Sequence, residues 1–378
     1  MTRLAGVVTA GSAVAVLGAA VALANRLSAP RLRPADQDIT EPVTVLIPAR
    51  DEADRLPALI ADLRAQHGLS DLGVLILDDG STDGTADAAL AAIGDDERFF
   101  LSRNDIDPPP GWTGKTAACA RLGALASGED VLIFLDADTR LAPGALAAAV
   151  RELRSTGAAL VCPWPRQLAE SAAERLVQPL LGWSWAATLP VALANRTLRP
   201  SMAVACGQFL VFDAAAYRAI GGHAAVADSV TEDLAIAREL RRSGRHTTLV
   251  VAGTLAETRM YRNTTELTEG YTRWLWSAYG GPAGSIAVGS AAALAFWAPP
   301  LAALCGRGRL RRVGLLGYGA GVAARLLARS TETGGRPTRA DIVAALAHPL
   351  SVAAYLVLSA RSHRAYRDNR LRWKRRAL

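Results

Sequence analysis

Asp136 and Asp138 close a run of five apolar residues, Val131-Leu132-Ile133-Phe134-Leu135, with one alanine between them. Such a run reads as a strand buried on both faces, the type found inside a parallel sheet. Open α/β sheets hold their ligands at strand ends. Two carboxylates there offer hard oxygen ligands to Mg²⁺ or Mn²⁺, an ion that usually carries substrate phosphates rather than sitting in a full protein cage. An isolated Asp-x-Asp would read as a solvated strand-to-loop corner. Here Asp78-Asp79 closes an apolar run of its own, and Glu232-Asp233 opens a helix. Together they make a site the stronger reading.

These side chains need a scaffold. Residues 43–47 predict a first strand ended by Pro48, and residues 55–66 have helical spacing. Further strands are predicted over 72–77, 98–102, 131–135 and 246–251. Helices are predicted over 82–93, capped by Thr82 or Asp83, over 116–126, and over 143–153 with Pro143 in the first turn. Residues 203–212 return to strand, interrupted by Gly207-Gln208. A short helix over 213–220 and a longer one over 232–243 follow, closed by Gly221-Gly222 and Gly244. Strands alternating with helices of this length mean βαβ units and a mostly parallel α/β sheet of the nucleotide-binding kind. No internal repeat is visible.

The 378 residues leave room for one large domain with additions, or for two. Apolar residues make up 51% and mean hydropathy is +0.17, high for a soluble enzyme, and the excess is concentrated. Residues 4–24 are an uncharged run of 21, long enough to cross a bilayer as a helix. Arg3 precedes it and Arg26, Arg31 and Arg33 follow, so its C-terminal side is expected to face the cytoplasm. The rival reading is a signal peptide cleaved after Ala22-Leu23-Ala24. Residues 176–194 are apolar but contain Gln178, Pro179 and Pro190, and read as an interfacial or re-entrant segment. Residues 283–305 carry Pro299-Pro300 and are expected to dip into the bilayer and return. Residues 313–328 and 342–360 are then expected to form a hairpin, which keeps the basic flanks 307–312 and 361–376 in the cytoplasm.

Net charge is +7, and residues 361–378 hold eight Lys/Arg against one Asp. Beside apolar segments that tail reads as a membrane-surface signal and not as a nucleic-acid patch. Cys119, Cys162, Cys206 and Cys305 are scattered, which argues against zinc and a disulfide framework and fits a reducing compartment.

Four pieces in this order, Pro48-Ala49-Arg50-Asp51-Glu52, Asp78 to Thr85, Asp136-Ala137-Asp138 and Glu232-Asp233, resemble the family 2 glycosyltransferases of GT-A fold. The resemblance covers roughly residues 43–276. Gly111-Trp112-Thr113-Gly114-Lys115, Gly207-Gln208, Ala219 to His223 and Arg259 to Arg262 are similar to the membrane-bound branch that includes carotenoid glycosyltransferases. Arg273-Trp274 resembles the end of the Gln/Arg-x-x-Arg-Trp signature of lipid glycosyltransferases and processive synthases. Gly270 stands at the first position of that signature, a departure that weakens any claim to processive synthesis.

The resemblance implies displacement at a sugar's anomeric carbon, with a nucleoside diphosphate leaving and a UDP-sugar the expected donor. Asp138 would hold the metal that bridges the phosphates, and Asp136 would contact the ribose or the metal's water. Asp78, with Asp79 beside it, would accept from the uracil or ribose. Glu52 and the Pro48, Ala49 and Arg50 backbone would frame the nucleotide. Lys115 reads either as a point cation for the diphosphate or as a solvated first-turn lysine. Asp233 is the expected base for the acceptor hydroxyl; a dipole-stabilised acid behind a Thr231 cap is the plain alternative. Gln208 and His223 are candidates for the acceptor cleft. Arg273 and Trp274 would either close over the donor or anchor at the bilayer edge.

The whole reads as a membrane anchor over 1–34, a GT-A domain over 35–280, and membrane helices with a basic tail over 281–378. The expected protein is a multi-pass plasma-membrane enzyme with a cytoplasmic catalytic domain and an inverting, metal-dependent reaction on a lipid such as a hydroxylated or carboxylated carotenoid. Rivals are a polyisoprenyl-phosphate glycosyltransferase and a non-catalytic membrane scaffold. A nucleotidyltransferase would want a Gly-rich basic loop after its first strand, which Pro48 to Glu52 does not resemble.

Overall fold

The computed structural model describes residues 2–126, 128, 130–373 and 376–377. Lys374, Arg375 and Leu378 of the basic tail lie outside the described residues. In chain order the elements begin with α1 (Thr2–Ser28), β1 (Val43–Ala49), α2 (Leu56–Arg64), β2 (Leu72–Asp78), α3 (Thr85–Ile93) and β3 (Phe99–Arg103). Next come α4 (Gly114–Leu125), β4 (Val131–Leu135), β5 (Thr139–Leu141), α5 (Ala145–Thr156), β6 (Leu160–Trp164) and β7 (Arg166–Gln167). Three short helices, α6 (Ala172–Val177), α7 (Leu180–Ala186) and α8 (Val191–Ala194), precede β8 (Phe209–Asp213), α9 (Ala214–Ala219), α10 (Glu232–Arg242), β9 (Thr247–Val251) and β10 (Ala256–Thr258). The chain ends with α11 (Thr264–Trp274), α12 (Pro282–Phe296), α13 (Ala298–Cys305), α14 (Gly308–Thr333), α15 (Arg339–Leu346), α16 (His348–Arg367) and a two-strand pair in the tail. Two compact units interleave along this order. The first comprises Met1–Ala29, Gln167–Ala192 and Tyr261–Leu371; the second, Pro30–Arg166, Leu193–Met260 and Arg372–Leu378.

The second unit is built on a seven-stranded sheet of order β3-β2-β1-β4-β8-β6-β9. β3, β2, β1 and β4 are parallel, and β6 pairs parallel with β9. β8 alone is reversed, antiparallel to both β4 and β6. Every residue of β4 is buried, as its unbroken apolar run requires of a central strand. Each such Val, Ile or Leu contributes about 1.5–3 kcal/mol by leaving water. Two registers place the chemistry. Ala49 pairs with Asp78, so the loops after β1 and β2 leave the sheet at one level. Leu135 pairs with Phe209, so the loop entering the reversed β8 lies at the end where β4 releases Asp136.

The boundaries depart from expectation where side chains do another task. α3 begins at Thr85 behind Gly84, and neither Thr82 nor Asp83 caps it. Thr82 donates its amide to Asp51 Oδ1 at 2.9 Å, and Asp83 Oδ2 accepts from Ala53 N at 3.1 Å. Pro143 likewise stays outside α5, which starts behind Gly144.

In the first unit, α1 and α14 run parallel: Ser12 Oγ donates to Val313 O at 2.9 Å, and Ala22 packs on Ala324. α13 runs against α14, for a Cβ on Gly314 would strike Pro299 O and Ala303 N. The prolines Pro299-Pro300 fall in the first turn of α13, where the missing N–H costs nothing. Arg3–Ser28 and Pro282–Cys305 are each long and apolar enough to cross a membrane.

Residues 283–305, expected to dip and return, are instead part of one apolar stretch, Pro282–Cys305, long enough to span. α12, α13 and α14 form the hairpin. The last apolar run is two helices, α15 and α16, bent by 68° at the break, which is the form of a broken span or of a re-entrant loop. Arg329 meets Asp341 at 3.2 Å and Tyr318 Oη donates to Leu346 O at 2.8 Å, so α15 descends along α14. Trp297 Nε1 then donates to Pro349 O at 3.0 Å, and His363 Nε2 meets Ser285 Oγ at 2.8 Å, so α16 returns along α12. Arg307–Arg312 and the arginines of the last turns of α16, Arg364 and Arg367, thus stand at opposite ends of this unit.

Residues 176–194 form short helices, split near Pro179 and Pro190, and no single span. Asn25 of α1 donates to Ala186 O and Leu189 O at 2.8 and 2.7 Å. Arg325, buried in α14, donates to Arg175 O and Leu176 O at the end of α6. Small residues allow α1 and α14 to meet closely, as in membrane helix pairs: a Cβ on Gly317 would fall 2.4 Å from Ser12 Oγ. Gly317→Leu is expected to cost about 1–3 kcal/mol by overpacking, read as a lowered unfolding temperature of the detergent-solubilised full chain. An unchanged temperature would contradict this packing.

Candidate active site

At the carboxyl edge of β1, β2 and β4 the acidic motifs are tied into one framework. Asp51 adopts φ 50°, a left-handed conformation that aspartate tolerates better than most residues. It is held by an exchange with the loop after β2: its amide donates to Ser81 Oγ at 2.9 Å while its own Oδ1 accepts from Thr82 N. Glu52 N donates to Thr85 Oγ1 at 2.8 Å. Arg50 donates to the carbonyl of Asp79, and Asp79 N donates to Ala49 O at 2.8 Å. Each of the two motifs thereby satisfies backbone groups of the other. Arg50 and the Pro48–Ala49 strand end therefore act first as framework.

Asp78 is buried. Its Oδ1 accepts from Ser81 N at 3.0 Å, and its Oδ2 has no hydrogen-bond partner among the described residues, with Arg103 Nε 3.6 Å from it. Asp79 is turned inward instead, where Oδ1 accepts from Asn104 Nδ2 at 2.6 Å and Arg121 stands 3.6 Å away. Asn104 follows β3, and nothing in its spacing marks it beforehand.

Lys115 is neither a solvated lysine nor a free cation for a diphosphate. Thr113 caps α4 by accepting from Thr116 N, which fixes Lys115 in the first turn. Its Nζ lies 2.8 Å from Asp136 Oδ1, 3.0 Å from Asp136 Oδ2 and 2.8 Å from Glu232 Oε1. Burial alone would lower its pKa, but the two carboxylates outweigh that and hold it well above the ordinary lysine value. Glu232, named in the sequence only as the neighbour of Asp233, is the second anchor of Lys115. Burial works to raise its carboxyl, and Lys115 overrides it, so the net shift is downward. Asp136 shifts upward, burial outweighing Lys115.

Asp233, next on α10, is oriented by two amides: Oδ2 accepts from Gly207 N at 2.8 Å and Oδ1 from Leu234 N at 2.7 Å. Burial, and then the neighbouring Glu232, push its carboxyl up to about 6, against Lys115 and the two amides. Thr231 makes no side-chain cap bond, so α10 opens without the cap expected of it. Gly207 sits where these groups converge. A Cβ there would lie 2.9 Å from Lys115 Nζ, 3.2 Å from Glu232 Oε1 and 3.6 Å from Asp233 Oδ2. Gly207→Ala must displace a lysine already pinned between two carboxylates. It is expected to lower kcat about 10²-fold by misplacing the site, with the unfolding temperature little changed. Wild-type turnover would contradict the close approach.

Asp138 lies two residues beyond Asp136. Its Oδ1 is buried without a hydrogen-bond partner among the described residues. Burial, then Asp136 and Glu52, raise it to about 7, with Arg55 and Lys115 opposing. An anionic oxygen that lacks a donor in such surroundings fits a cation. Among the described residues no three His, Cys, Asp or Glu side chains are grouped so as to hold a metal ion between them. A divalent ion would therefore take the Asp138 oxygen and complete its shell with substrate phosphates and water. Asp136 is already engaged by Lys115.

Two expected acceptor residues point elsewhere. Gln208 is buried, its Nε2 donating to Thr258 Oγ1 at 3.2 Å while its Oε1 accepts from Cys206 Sγ at 3.0 Å. Its carbonyl accepts from Asp136 N and from Thr139 Oγ1, so it ties the reversed strand to the aspartate loop. His223 is buried in an aromatic cluster, with Nδ1 2.8 Å from Tyr217 Oη and its ring 4.6 Å from that of Phe134. Burial pushes it down to about 4, so it is neutral at pH 7 and is not a loop residue exposed to an acceptor.

Arg273 and Trp274 close α11 in the first unit. Arg273 O accepts from Trp276 Nε1 at 3.1 Å, and the Trp274 ring packs 5.4 Å from Tyr271. Gly270 is explained there: a Cβ on it would fall 2.2 Å from a ring carbon of Tyr261, so the phenol fills the space that a larger side chain would need.

The family model for glycosyl transferase family 2 matches residues 44–221. A 4,4'-diaponeurosporenoate glycosyltransferase of Staphylococcus haemolyticus (strain JCSC1435) is 30% identical over 141 residues. That match covers 37% of this chain and 36% of that protein, so it spans little more than a third of the relative. A mannosyltransferase from Pyrobaculum calidifontis, solved in complex with GDP-Man and Mn²⁺, matches with a TM-score of 0.54 at 18% identity. That match covers 92% of this chain and 99% of the other, and at such identity the likeness is one of fold.

Proposed function

We propose, on the premise that residues 44–221 are a family 2 glycosyltransferase domain and that the fold is GT-A, that this protein moves a sugar from a nucleoside diphosphate sugar to a lipid with inversion. The observation that carries the reading is the meeting of Asp136, Glu232 and Asp233 around Lys115 and Gly207, at the sheet edge that also holds the unpartnered oxygen of Asp138.

In this reading Asp138 holds a Mg²⁺ or Mn²⁺ ion, which when bound would neutralise charge on the leaving diphosphate. Asp78 accepts from the base or ribose with its free oxygen, and the loop of Glu52 frames the nucleotide. Lys115 keeps Asp136 and the head of α10 in register and lends positive charge to the donor side. Asp233 takes the proton of the acceptor hydroxyl with a carboxylate already aimed by the Gly207 amide.

The lipid acceptor is supported by the two helices long and apolar enough to cross a membrane, or three with the bent pair. The relative named for a carotenoid acid supports it too. A multi-pass protein of the plasma membrane with a cytoplasmic active site fits a donor made in the cytoplasm. The purified chain given Mn²⁺ and nucleotide sugars without acceptor should slowly release nucleoside diphosphate from one donor. A membrane scaffold would release none from any.

A further inference from the structure

The far end of the helical hairpin carries charge that nothing above uses. α1 and α14 run parallel, with Ser12 beside Val313, so Arg3 lies at the end where the chain turns from α13 into α14. Arg3, Arg307, Arg309, Arg311 and Arg312 are all exposed. The elements gathered there are α1, α13 and the first half of α14. The sequence has no Asp or Glu before Asp36, and none from Gly270 to Thr331. No carboxylate on these elements can pair with the five guanidiniums. The tail is built differently, since Arg364, Arg367 and Arg370 all gather on Asp368.

Arg309 and Arg311 also occupy the first turn of α14, with Arg307 at its N-cap, where the helix dipole disfavours cations. Below them the surface turns apolar at once: Leu4 and Val7 of α1, Leu301 and Leu304 of α13, and Leu315 and Leu316 of α14 are exposed. An uncompensated cationic rim on an exposed apolar belt matches the boundary between phosphate headgroups and acyl chains. Guanidinium forks suit phosphate oxygens. A hairpin that crosses with four arginines at its tip runs against the usual charge bias of membrane loops, so the tip needs a counter-charge from its surroundings.

We propose that Arg3, Arg307, Arg309, Arg311 and Arg312 form a binding surface for the headgroups of anionic phospholipids. The partner is the lipid in the bilayer and not a soluble anion.

The test is native mass spectrometry of the full chain released from detergent micelles doped with phosphatidylglycerol or phosphatidylcholine. The wild type should retain phosphatidylglycerol in preference, and the preference should weaken as salt rises. The variant R307Q/R309Q/R311Q/R312Q should lose affinity for phosphatidylglycerol by about tenfold or more. The corresponding four-lysine variant should keep most of it, and R364Q/R367Q/R370Q should behave as wild type. Equal retention of the two lipids by the wild type overturns the proposal, and this arm decides even if the glutamine variant fails to fold. So does full retention by that variant, or displacement of the lipid by inorganic phosphate.

Discussion

Asp233→Asn lowers kcat/KM for a hydroxylated acceptor by about 10²–10⁴-fold, the usual worth of a general base, and leaves donor binding close to wild type. The asparagine keeps the shape of the side chain and its bond from the Gly207 amide. It cannot take a proton. The wild type should show an acid limb in its pH profile. Burial and Glu232 hold Asp233 at about 6, so activity rises as pH climbs through that value and the carboxylate ionises. The limb should vanish in the asparagine variant. A phosphate acceptor needs little base strength, so transfer to polyisoprenyl phosphate should survive the substitution. Transfer to a hydroxyl that persists within a few-fold in Asp233→Asn would remove Asp233 from the chemistry.

Asp138→Asn should lower kcat about 10²–10³-fold, the scale of losing one electrostatic contact to a developing charge. It should also abolish the dependence of donor affinity on Mn²⁺ in titration calorimetry. Its effect on stability should have the opposite sign. The folded state holds Asp138 at about 7, above the ordinary aspartate value near 4. Between those values the folded chain binds more protons than the unfolded one, so this group's contribution to stability falls as pH rises. Without metal at neutral pH the asparagine variant should therefore unfold at a higher temperature than wild type. Equal or lower stability, with Mn²⁺ dependence retained, would mean that the Asp138 oxygen is not a metal position.

The strand ends were legible because their physics is local. An unbroken apolar run such as that of β4 has one stable home, and the carboxylates that follow it have to leave the sheet there. The direction of β8 was not legible, because an apolar strand looks the same in either sense. That reversal is what brings Gly207 and Gln208 beside Asp136. The bridge from Lys115 to Asp136 and Glu232 joins three segments far apart in sequence, and no spacing rule reaches across them. The burial of His223 and Gln208 was not legible either: one follows Gly221-Gly222 and the other interrupts a strand, yet the side chains turn inward to Tyr217 and Thr258. Hydropathy found the apolar runs at the C-terminus. It could not tell which would be straight, since the break at Trp297 leaves residues 282–305 long enough to span, while the bend at Ala347 depends on packing along α14 and α12.

The most direct test uses membranes that carry the full-length protein, incubated with a panel of labelled nucleotide sugars and a divalent cation. Label from one donor should enter the organic-extractable fraction with the wild type, and should stay in water with Asp138→Ala or with the cation chelated. Label that never enters the lipid phase with any donor, or that enters it equally with Asp138→Ala, would contradict the account.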